Sequence, residues 1–339
     1  RPECPRRRAR TPVTGGKLRS GRRPSPRRPR LNMPRVSVLL PVYNCRRYLA
    51  AAVASIRAQT FADFECIVVD DGSTDGTAAI IDRAAAADPR LRVVRRPNTG
   101  IVGALNDSLA LATGEFIARM DGDDLAEPGR FAAQLAFLEH HPEVVALGTA
   151  ARTIDSRGAI LDLLRPPLTH EAIVDQLLLG NGAALVHPAV ILRRTALLAA
   201  GSYAAEFCKA EDLDLFLRLA RFGRLANLAE PLLRYRLHLQ STNFSQRTRQ
   251  KELVLRILAR ERSARGLSPL SLADLAGPAD QSRAALHRNW ACTACRHGRA
   301  STALRHALLA LAGEPLARAS WSVLRYTLGR PLGRRPVQP

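Results

Sequence analysis

The sequence predicts an α/β fold, a mostly parallel sheet flanked by helices with a helical C-terminal extension. Short runs of apolar and β-branched residues alternate with helical patterns from Val36 to about residue 150. These strands are apolar throughout, which is typical of a sheet that helices cover on both faces. Polar clusters follow three of the strands, at the edge where parallel sheets bind their ligands.

The predicted elements alternate along the chain. The strands are VSVLL, FECIVVD, LRVV, EFIARMD and VVALGTAA. The helices between them lie near residues 46–58, 76–87, 101–112 and 128–140. The part from about 160 to 245 is mixed, with helices at 171–179 and 211–222, a strand near 189–192 and the extended run LLRYRLH. We expect this second half to join the same sheet.

Beyond about residue 246 the pattern is helical, with Leu and Ala on one face and Arg on the other. It predicts a helical C-terminal extension over 246–339 that carries no chemistry of its own. The compact part of the protein would then span 33–245.

The formal net charge of +21 is unevenly distributed along the chain. Residues 1–32 hold eleven Arg and one Lys against Glu3, which is over half of the excess. This segment is rich in Pro, Gly and Ser and shows no apolar period, so we predict that it is disordered. Met33 stands directly before the first strand and is a candidate natural start. A basic tail that binds anionic lipid or nucleic acid is the alternative.

Cysteine use and hydropathy indicate the compartment. The six Cys are scattered, with no secretory apolar region ahead of them, which favours a reducing cytoplasm. Cys292, Cys295 and His297 could ligate a metal, but a zinc site needs a second ligand pair, and none follows. The sequence contains no uninterrupted run of about eighteen apolar residues, so it does not predict a membrane-spanning helix. Peripheral attachment to the inner face of the plasma membrane stays open.

The run Asp70-Asp71-Gly72-Ser73 follows the second predicted strand. Gly72 supports a turn, and Ser73 can cap the following helix. A cap does not require two further acids at a strand end. A carboxylate there can accept a hydrogen bond from the imide N–H of uracil or from a ribose hydroxyl, so Asp70 and Asp71 are candidate nucleotide-binding residues.

The run Asp121-Gly122-Asp123-Asp124 places three acids directly after the fourth strand. Their mutual repulsion raises the energy of the turn unless a cation neutralises them. Carboxylate oxygens suit Mg²⁺ or Mn²⁺, which keep positions open for phosphate oxygens. A solvated acidic turn is the alternative.

Glu211 and Asp212 open a predicted helix with one apolar face. Acids in the first turn complement the helix dipole, which alone could explain them. The functional alternative is a general base, which the dipole would keep ionised at neutral pH. His238 and the pair His187-Pro188, taken singly, are more often structural than catalytic.

The ordered set of motifs resembles the family 2 glycosyltransferases, a large group of inverting enzymes with the GT-A fold. The set covers about 60% of the chain and consists of VSVLLPVYN, VVDDGSTDGT, NTGIVGALN, FIARMDGDDLAEPGRF, HPAVILRR, AEDLDLFLRLARFG and LLRYRLH. Seven motifs in one order are far more specific than any one of them. The resemblance implies a GT-A domain over 33–245, with a nucleotide-binding half (33–125) and an acceptor half (126–245).

The resemblance also implies roles for the donor-side residues. Pro41 and Tyr43 would border the base of the nucleotide. Asp71, ahead of Asp70, would bind the uracil or the ribose.

The family's remaining roles fall on the metal and the acceptor. Asp121 and Asp123 look like the D-x-D pair, in which Asp123 would ligate the metal and Asp121 would reach ribose or metal. His238 stands where many members place a further metal ligand. Asp212 would be the general base, and Glu211 would orient it.

The implied reaction is an in-line displacement with inversion. It moves a sugar from a nucleotide diphosphate donor, with UDP-sugars the first candidates, to a hydroxyl of a saccharide or lipid-linked acceptor in cell-surface polysaccharide or glycolipid synthesis. Bound Mg²⁺ or Mn²⁺ would neutralise charge on the leaving diphosphate. A polyprenyl-phosphate glycosyltransferase is one alternative. A basic nucleic-acid or membrane-surface binding protein is another, but it leaves the acidic clusters without a purpose, and no nucleic-acid partner is expected.

Overall fold

The structure is a computed structural model that describes residues 33–239, 247–275 and 282–329. The basic tail of residues 1–32 and the boundary predicted near residue 245 lie outside the described residues, and so does the end of the predicted extension. The described residues from Pro34 on belong to one compact unit.

The described strands form a single nine-stranded sheet. They are β1 (Val36–Val42), β2 (Phe64–Asp70), β3 (Leu91–Arg95), β4 (Phe116–Arg119), β5 (Leu125–Ala126), β6 (Val144–Ile154), β7 (Ile160–Leu164), β8 (Ile191–Arg193) and β9 (Arg224–Arg236). Their order is β3-β2-β1-β4-β8-β6-β9-β5, and β7 pairs with β6. The first four strands are parallel, as are β6 and β9, whereas β8 is antiparallel to both neighbours. The predicted α/β fold is confirmed, and the second half of the chain joins the same sheet.

Eleven α-helices accompany these strands in the described ranges. They are α1 (Leu49–Arg57), α2 (Thr77–Ala87), α3 (Ile101–Leu111), α4 (Arg130–His140), α5 (His170–Leu177), α6 (Arg194–Ala199), α7 (Glu211–Leu219), α8 (Arg247–Ser263), α9 (Arg283–Arg296), α10 (Ala300–Gly313) and α11 (Arg318–Leu328). Helices α1, α2 and α4 cover one face of the sheet, and α3 and α5 to α8 cover the other.

The side chains of β1 show why both faces are covered. All seven residues of this strand are buried. Leu39 joins the core under α3 and α7, whereas Val38 and Leu40 join the core under α1 and α4. Because successive strand side chains point to opposite faces, an unbroken apolar strand needs a hydrophobic layer on each side.

Helix α7 is shorter than its apolar pattern predicts, because it ends at Leu219 rather than Phe222. The reason lies at Gly223, where the chain turns into β9. A Cβ at this position would lie 2.7 Å from the carbonyl oxygen of Glu143. The close approach of two backbone segments therefore ends the helix before its pattern does.

The C-terminal helices pack against the sheet in two places. Leu253 and Ile257 of α8 belong to the same core as α7. Trp290 of α9 lies in a separate apolar cluster with Leu161 of β7 and Ala303 of α10. None of the helices in the described ranges combines the length and apolar character that a membrane span requires.

A buried ionic junction joins α10 to the end of β6. The carboxylate of Asp155 just beyond this strand is completely buried and pairs with Arg305. His306 Nε2 lies 3.2 Å from the same carboxylate. The backbone N–H groups of Arg157 and Ala159 also donate to Asp155. A turn at the end of β6 thus depends on a cation supplied by a C-terminal helix.

Replacing Arg305 with Gln should destabilise the protein, since it leaves a buried carboxylate without its guanidinium. We expect a loss of roughly 2 kcal/mol in the free energy of unfolding, measured by urea denaturation. Arg318→Gln removes the same charge from an exposed position on α11 and should change the stability little. Equal unfolding free energies for the two variants would mean that the junction contributes nothing.

Candidate active site

A crevice of about 1660 Å³ opens at the carboxyl ends of β1, β2 and β4. The loops after these strands and the end of β9 form one wall, and the start of α7 forms the other. The crevice thus lies where parallel sheets place their ligands. Eight of the nine predicted site residues line it, namely Pro41, Tyr43, Asp71, Asp121, Asp123, Glu211, Asp212 and His238. Asp70 does not.

The loop after β1 is fixed to the loop after β2. The backbone N–H of Asn44 donates to Ser73 Oγ at 3.0 Å, and that of Arg46 donates to Asp75 Oδ2 at 3.0 Å. These contacts hold the chain outside the helical conformation, so α1 begins later than the sequence predicts. Tyr43, which is half exposed, is left at the mouth of the crevice.

The adjacent acids after β2 have different contacts. Asp70 accepts a hydrogen bond from the backbone N–H of Ser73 at 3.0 Å and so closes the turn. Asp71 accepts from the N–H groups of Thr99 and Gly100, at 3.1 and 2.9 Å. Both carboxylates are buried, but only Asp71 also borders the crevice. The resemblance ranks Asp71 ahead of Asp70 for contact with the nucleotide, and that assignment stays a prediction.

The acids after β4 converge on one point. One oxygen each from Asp121, Asp123 and Asp124 lies within 4.8 Å of the others. His238, which follows β9, places Nε2 2.9 Å from Asp123 Oδ2. The backbone N–H of Arg236 donates to Asp124 Oδ1 at 2.7 Å. The end of β9 thus brings His238 to the acidic turn from more than a hundred residues away in the chain.

The chemistry of this cluster fits a hard divalent cation. Burial raises the pKa of Asp121, and the nearby guanidinium of Arg119 offsets this only in part. Burial and the charges of its two neighbours raise the pKa of Asp124 well above its ordinary value. Asp124 Oδ2 is buried and accepts no hydrogen bond within the described ranges. Oxygen ligands with an unsatisfied buried carboxylate suit Mg²⁺ or Mn²⁺.

The cysteine motif does not form a second site. In the part of the chain that the structure describes, the acidic cluster is the one group of at least three His, Cys, Asp or Glu side chains close enough to hold a metal. Cys292 and Cys295 both lie on α9, and His297 pairs with Asp162 at 2.6 Å.

Arg236 is a site residue that sequence reasoning missed. Its Nε donates to the carbonyl oxygen of Asp123 at 2.7 Å, and its guanidinium lies 4.6 Å from the centre of the Tyr48 ring. Tyr48 in turn packs on His238, with 5.2 Å between the ring centres. Arg236 and His238 are two residues apart on an extended segment and therefore share a face. The spacing of two residues from His238 was the sequence signal that could have identified Arg236 as a site residue.

The opposite wall carries a second pair of carboxylates. Glu211 is almost completely buried, and burial together with the charge of Asp212 raises its pKa to about 7. Its side chain accepts a hydrogen bond from the Lys209 N–H, which fixes its direction. Burial also raises the pKa of Asp212. The helix dipole alone would lower this pKa, and burial outweighs the dipole here.

Arg119 is a second residue that the sequence analysis passed over. It lies at the end of the buried strand β4, is 3% exposed and pairs with Asp121. An arginine inside the otherwise apolar run FIAR was the signal. His187 is nearby, with Nε2 3.0 Å from the hydroxyl of Tyr203. Burial, aided by the Arg119 charge, lowers the pKa of His187 far below its ordinary value, so its ring is neutral.

Comparisons with known proteins agree with this geometry. The family model described as Glycosyl transferase family 2 matches residues 37–198. The chain is 34% identical over 243 residues to EpsE of Bacillus subtilis (strain 168), which covers 70% of this chain and 85% of EpsE. It is 34% identical over 204 residues to the amylovoran biosynthesis glycosyltransferase AmsE of Erwinia amylovora, covering 59% of this chain and 75% of AmsE.

The fold has a solved counterpart. A crystal structure of S. aureus TarS 1-349 in complex with UDP-GlcNAc superposes with a TM-score of 0.55 at 20% sequence identity. The match covers 87% of this chain and 80% of the TarS chain. At this level of identity the likeness concerns the GT-A fold.

The raised pKa of Glu211 should appear in the pH dependence of stability. The folded state holds this proton more tightly than the unfolded chain, so its stabilising effect is lost as pH rises from the ordinary pKa of 4.5 to about 7. Wild type should therefore lose roughly 1 to 3 kcal/mol more than Glu211→Gln over this window, in urea denaturation at each pH. Glu206→Gln, at an exposed acid nearby, should behave as wild type. Parallel curves for wild type and Glu211→Gln would contradict the shift.

Proposed function

Because the chain belongs to glycosyl transferase family 2, we propose that it moves a sugar from a nucleotide diphosphate onto a hydroxyl group of a saccharide or lipid-linked acceptor, with inversion at the anomeric carbon. One observation carries this proposal. A single crevice has an acidic, metal-compatible cluster on one wall and a pair of carboxylates, buried Glu211 and half-buried Asp212, on the other. Inversion by in-line displacement needs groups on opposite sides of the reacting carbon.

We propose a UDP-sugar donor for cell-surface polysaccharide or glycolipid synthesis. TarS, which shares the fold, was crystallised with UDP-GlcNAc, and AmsE is a glycosyltransferase of amylovoran biosynthesis. On this proposal Pro41 and Tyr43 border the base. Asp71, which accepts hydrogen bonds from the backbone at the start of α3 and borders the crevice, would accept from the uracil or the ribose.

The acidic wall would hold the diphosphate end of the donor. Asp123 and His238 would be the metal ligands, with Asp121 reaching the metal or the ribose, and Asp124 adds a buried oxygen to the set. Bound Mg²⁺ or Mn²⁺ would supply positive charge to offset the charge that grows on the diphosphate. Arg236 keeps this loop in place through its bonds to Asp123 and Asp124.

Asp212 would accept the proton of the acceptor hydroxyl, with Glu211 as its positioning partner. The raised pKa of Asp212 favours this role, because a more basic carboxylate removes a hydroxyl proton more readily. Glu211 is buried beside it and held by the Lys209 N–H. Removing one of two adjacent negative charges would then be favourable during attack.

Asp123→Asn should retain the fold and lose at least a hundredfold in turnover, because the amide lacks the charge that holds a cation. Turnover would be read as nucleotide released from UDP-, dTDP- and GDP-sugars over a range of Mn²⁺ concentrations. Asp63→Asn, at an exposed acid outside the crevice, is the matched control. Activity that survives in Asp123→Asn with unchanged metal dependence would remove Asp123 from the metal site.

Asp212→Asn separates a catalytic from a structural carboxylate. A structural role predicts near-normal turnover and a change of about 1 kcal/mol or less in stability. A general base predicts a loss of roughly a hundredfold or more in turnover, while donor affinity measured by calorimetry stays near normal. Asp175→Asn, an exposed acid on α5, is the control. Lost donor affinity would instead assign Asp212 to the donor site.

A further inference from the structure

Cations line the crevice on both walls. On the wall of the acidic cluster, Arg47 and Arg236 lie against the Tyr48 ring, with their guanidinium carbons 5.2 and 4.6 Å from its centre. On the wall of Asp212, the cations are Lys209 and Lys251. The first set adjoins the place proposed for the diphosphate. The second set lies apart from it and has no role in the proposed reaction.

Lys209 and Lys251 belong to segments that are joined directly. Lys209 precedes α7, and its carbonyl oxygen accepts a hydrogen bond from Gln250 Nε2 at 2.9 Å. Gln250 is the neighbour of Lys251 on α8, so this bond fixes the two segments to each other. Within the described ranges, no carboxylate lies within 4.0 Å of either ammonium group. Both side chains are only partly exposed.

The backbone at Lys209 is held in an unfavourable conformation. Its φ angle is 89°, a region that glycine adopts readily and lysine rarely does. The N–H bond to Glu211 and the carbonyl bond to Gln250 hold it there. Such conformations persist where the surrounding contacts over-determine them, and they concentrate at functional sites.

The charge balance on this wall indicates what the two lysines are for. Glu211 is buried and Asp212 half-buried at the point where the acceptor hydroxyl would arrive, and the negative charge that they carry when ionised repels an anionic ligand. The ammonium groups of Lys209 and Lys251, which have no carboxylate partner among the described residues, reverse this preference on their side of the crevice. For a neutral acceptor they would bring no electrostatic gain, and each would lose some hydration on contact.

We propose that the acceptor is an anionic saccharide, and that Lys209 and Lys251 bind its carboxylate or phosphate group beside the attacked hydroxyl. This inference rests on the proposed function, since the position of Asp212 is what makes this wall the acceptor wall.

The test compares two saccharide probes of equal length, tetragalacturonate and maltotetraose. Their binding to the full-length protein is measured by calorimetry with UDP at saturation, so that cations on the donor wall are already engaged. We expect tetragalacturonate to bind at least about tenfold more tightly, and this preference to shrink as salt screens the charges. The variants Lys209→Asn and Lys251→Gln should each reduce the preference severalfold. Asn suits the backbone at residue 209, because it tolerates positive φ.

Arg256→Gln is the matched control. It removes one positive charge from the same helix, at an exposed position that does not line the crevice, and should keep the preference of wild type. Equal binding of the two saccharides, including no binding of either, would overturn the proposal. So would a preference that persists when Lys209→Asn and Lys251→Gln are combined in one variant. Weaker UDP binding in the lysine variants would assign these cations to the donor diphosphate instead.

The nucleotide measurement keeps this proposal separate from the function on which it rests. Binding of UDP, dTDP or GDP to wild type tests the donor site alone. If none of them binds, the proposed function fails. The saccharide comparison on the protein without nucleotide still reports whether the surface at Lys209 and Lys251 prefers an anionic saccharide.

Discussion

The crevice depends on one buried guanidinium. Arg119 ends the central strand β4 at 3% exposure, beneath a site that gathers acids from two distant parts of the chain. Burial raises the pKa of Asp121, Glu211 and Asp212, and the charge of Arg119 opposes the rise at all three. Burying several carboxylates around one cation is unfavourable in itself. The site is therefore most stable when a further positive charge enters it, which is a property that a donor bound with a cation would exploit.

The sheet beneath Arg119 must be rigid to carry this arrangement, and a second buried arginine supports it. Arg130 of α4 is completely buried, and its Nη2 donates to the carbonyl oxygens of Arg119 and Val190, at 2.9 and 3.2 Å. Gln134, one turn further on, donates to the carbonyls of Leu147 and Ala189. Burial lowers the pKa of Arg130 to about 9. Its guanidinium is hydrogen-bonded to backbone carbonyl oxygens rather than to a carboxylate. Helix α4 thereby bridges β4, β6 and the segment directly before β8 without adding another negative charge near the site.

The sequence allowed prediction of the features that follow from short-range pattern. Strands β1 to β4 and most of β6 were predictable because they are largely apolar, whereas the two-residue strand β5 was not predicted. The polar turns were predictable because they follow strand ends. Gly72 is an instance, since the turn requires a φ of 79° there and a Cβ would lie 2.9 Å from the amide nitrogen of Asn98. The contacts of Arg119 and Arg236 depend on strand pairing between distant segments, which no local period encodes.

Electrostatics was predicted less well than position. A helix dipole can be inferred from sequence, but the surroundings of Asp212 depend on tertiary contacts, such as that with Gly182, where a Cβ would lie 3.7 Å from its Oδ2. Burial decides the direction of its pKa. The different contacts of the adjacent acids Asp70 and Asp71 have a similar origin. Their side chains point in opposite directions from the same strand end, so identical residue types meet different partners.

The contacts of Arg236 also bear on how such enzymes can be recombined. Its Nη1 donates to the carbonyl oxygen of Asp155 at 2.9 Å, while its Nε donates to that of Asp123. The carboxylate of Asp155 is held by α10. One side chain thus connects the acidic loop to a helix near the end of the chain. The C-terminal helices are not an exchangeable module, and a chimera that imports them from a relative must import their match to this strand end as well.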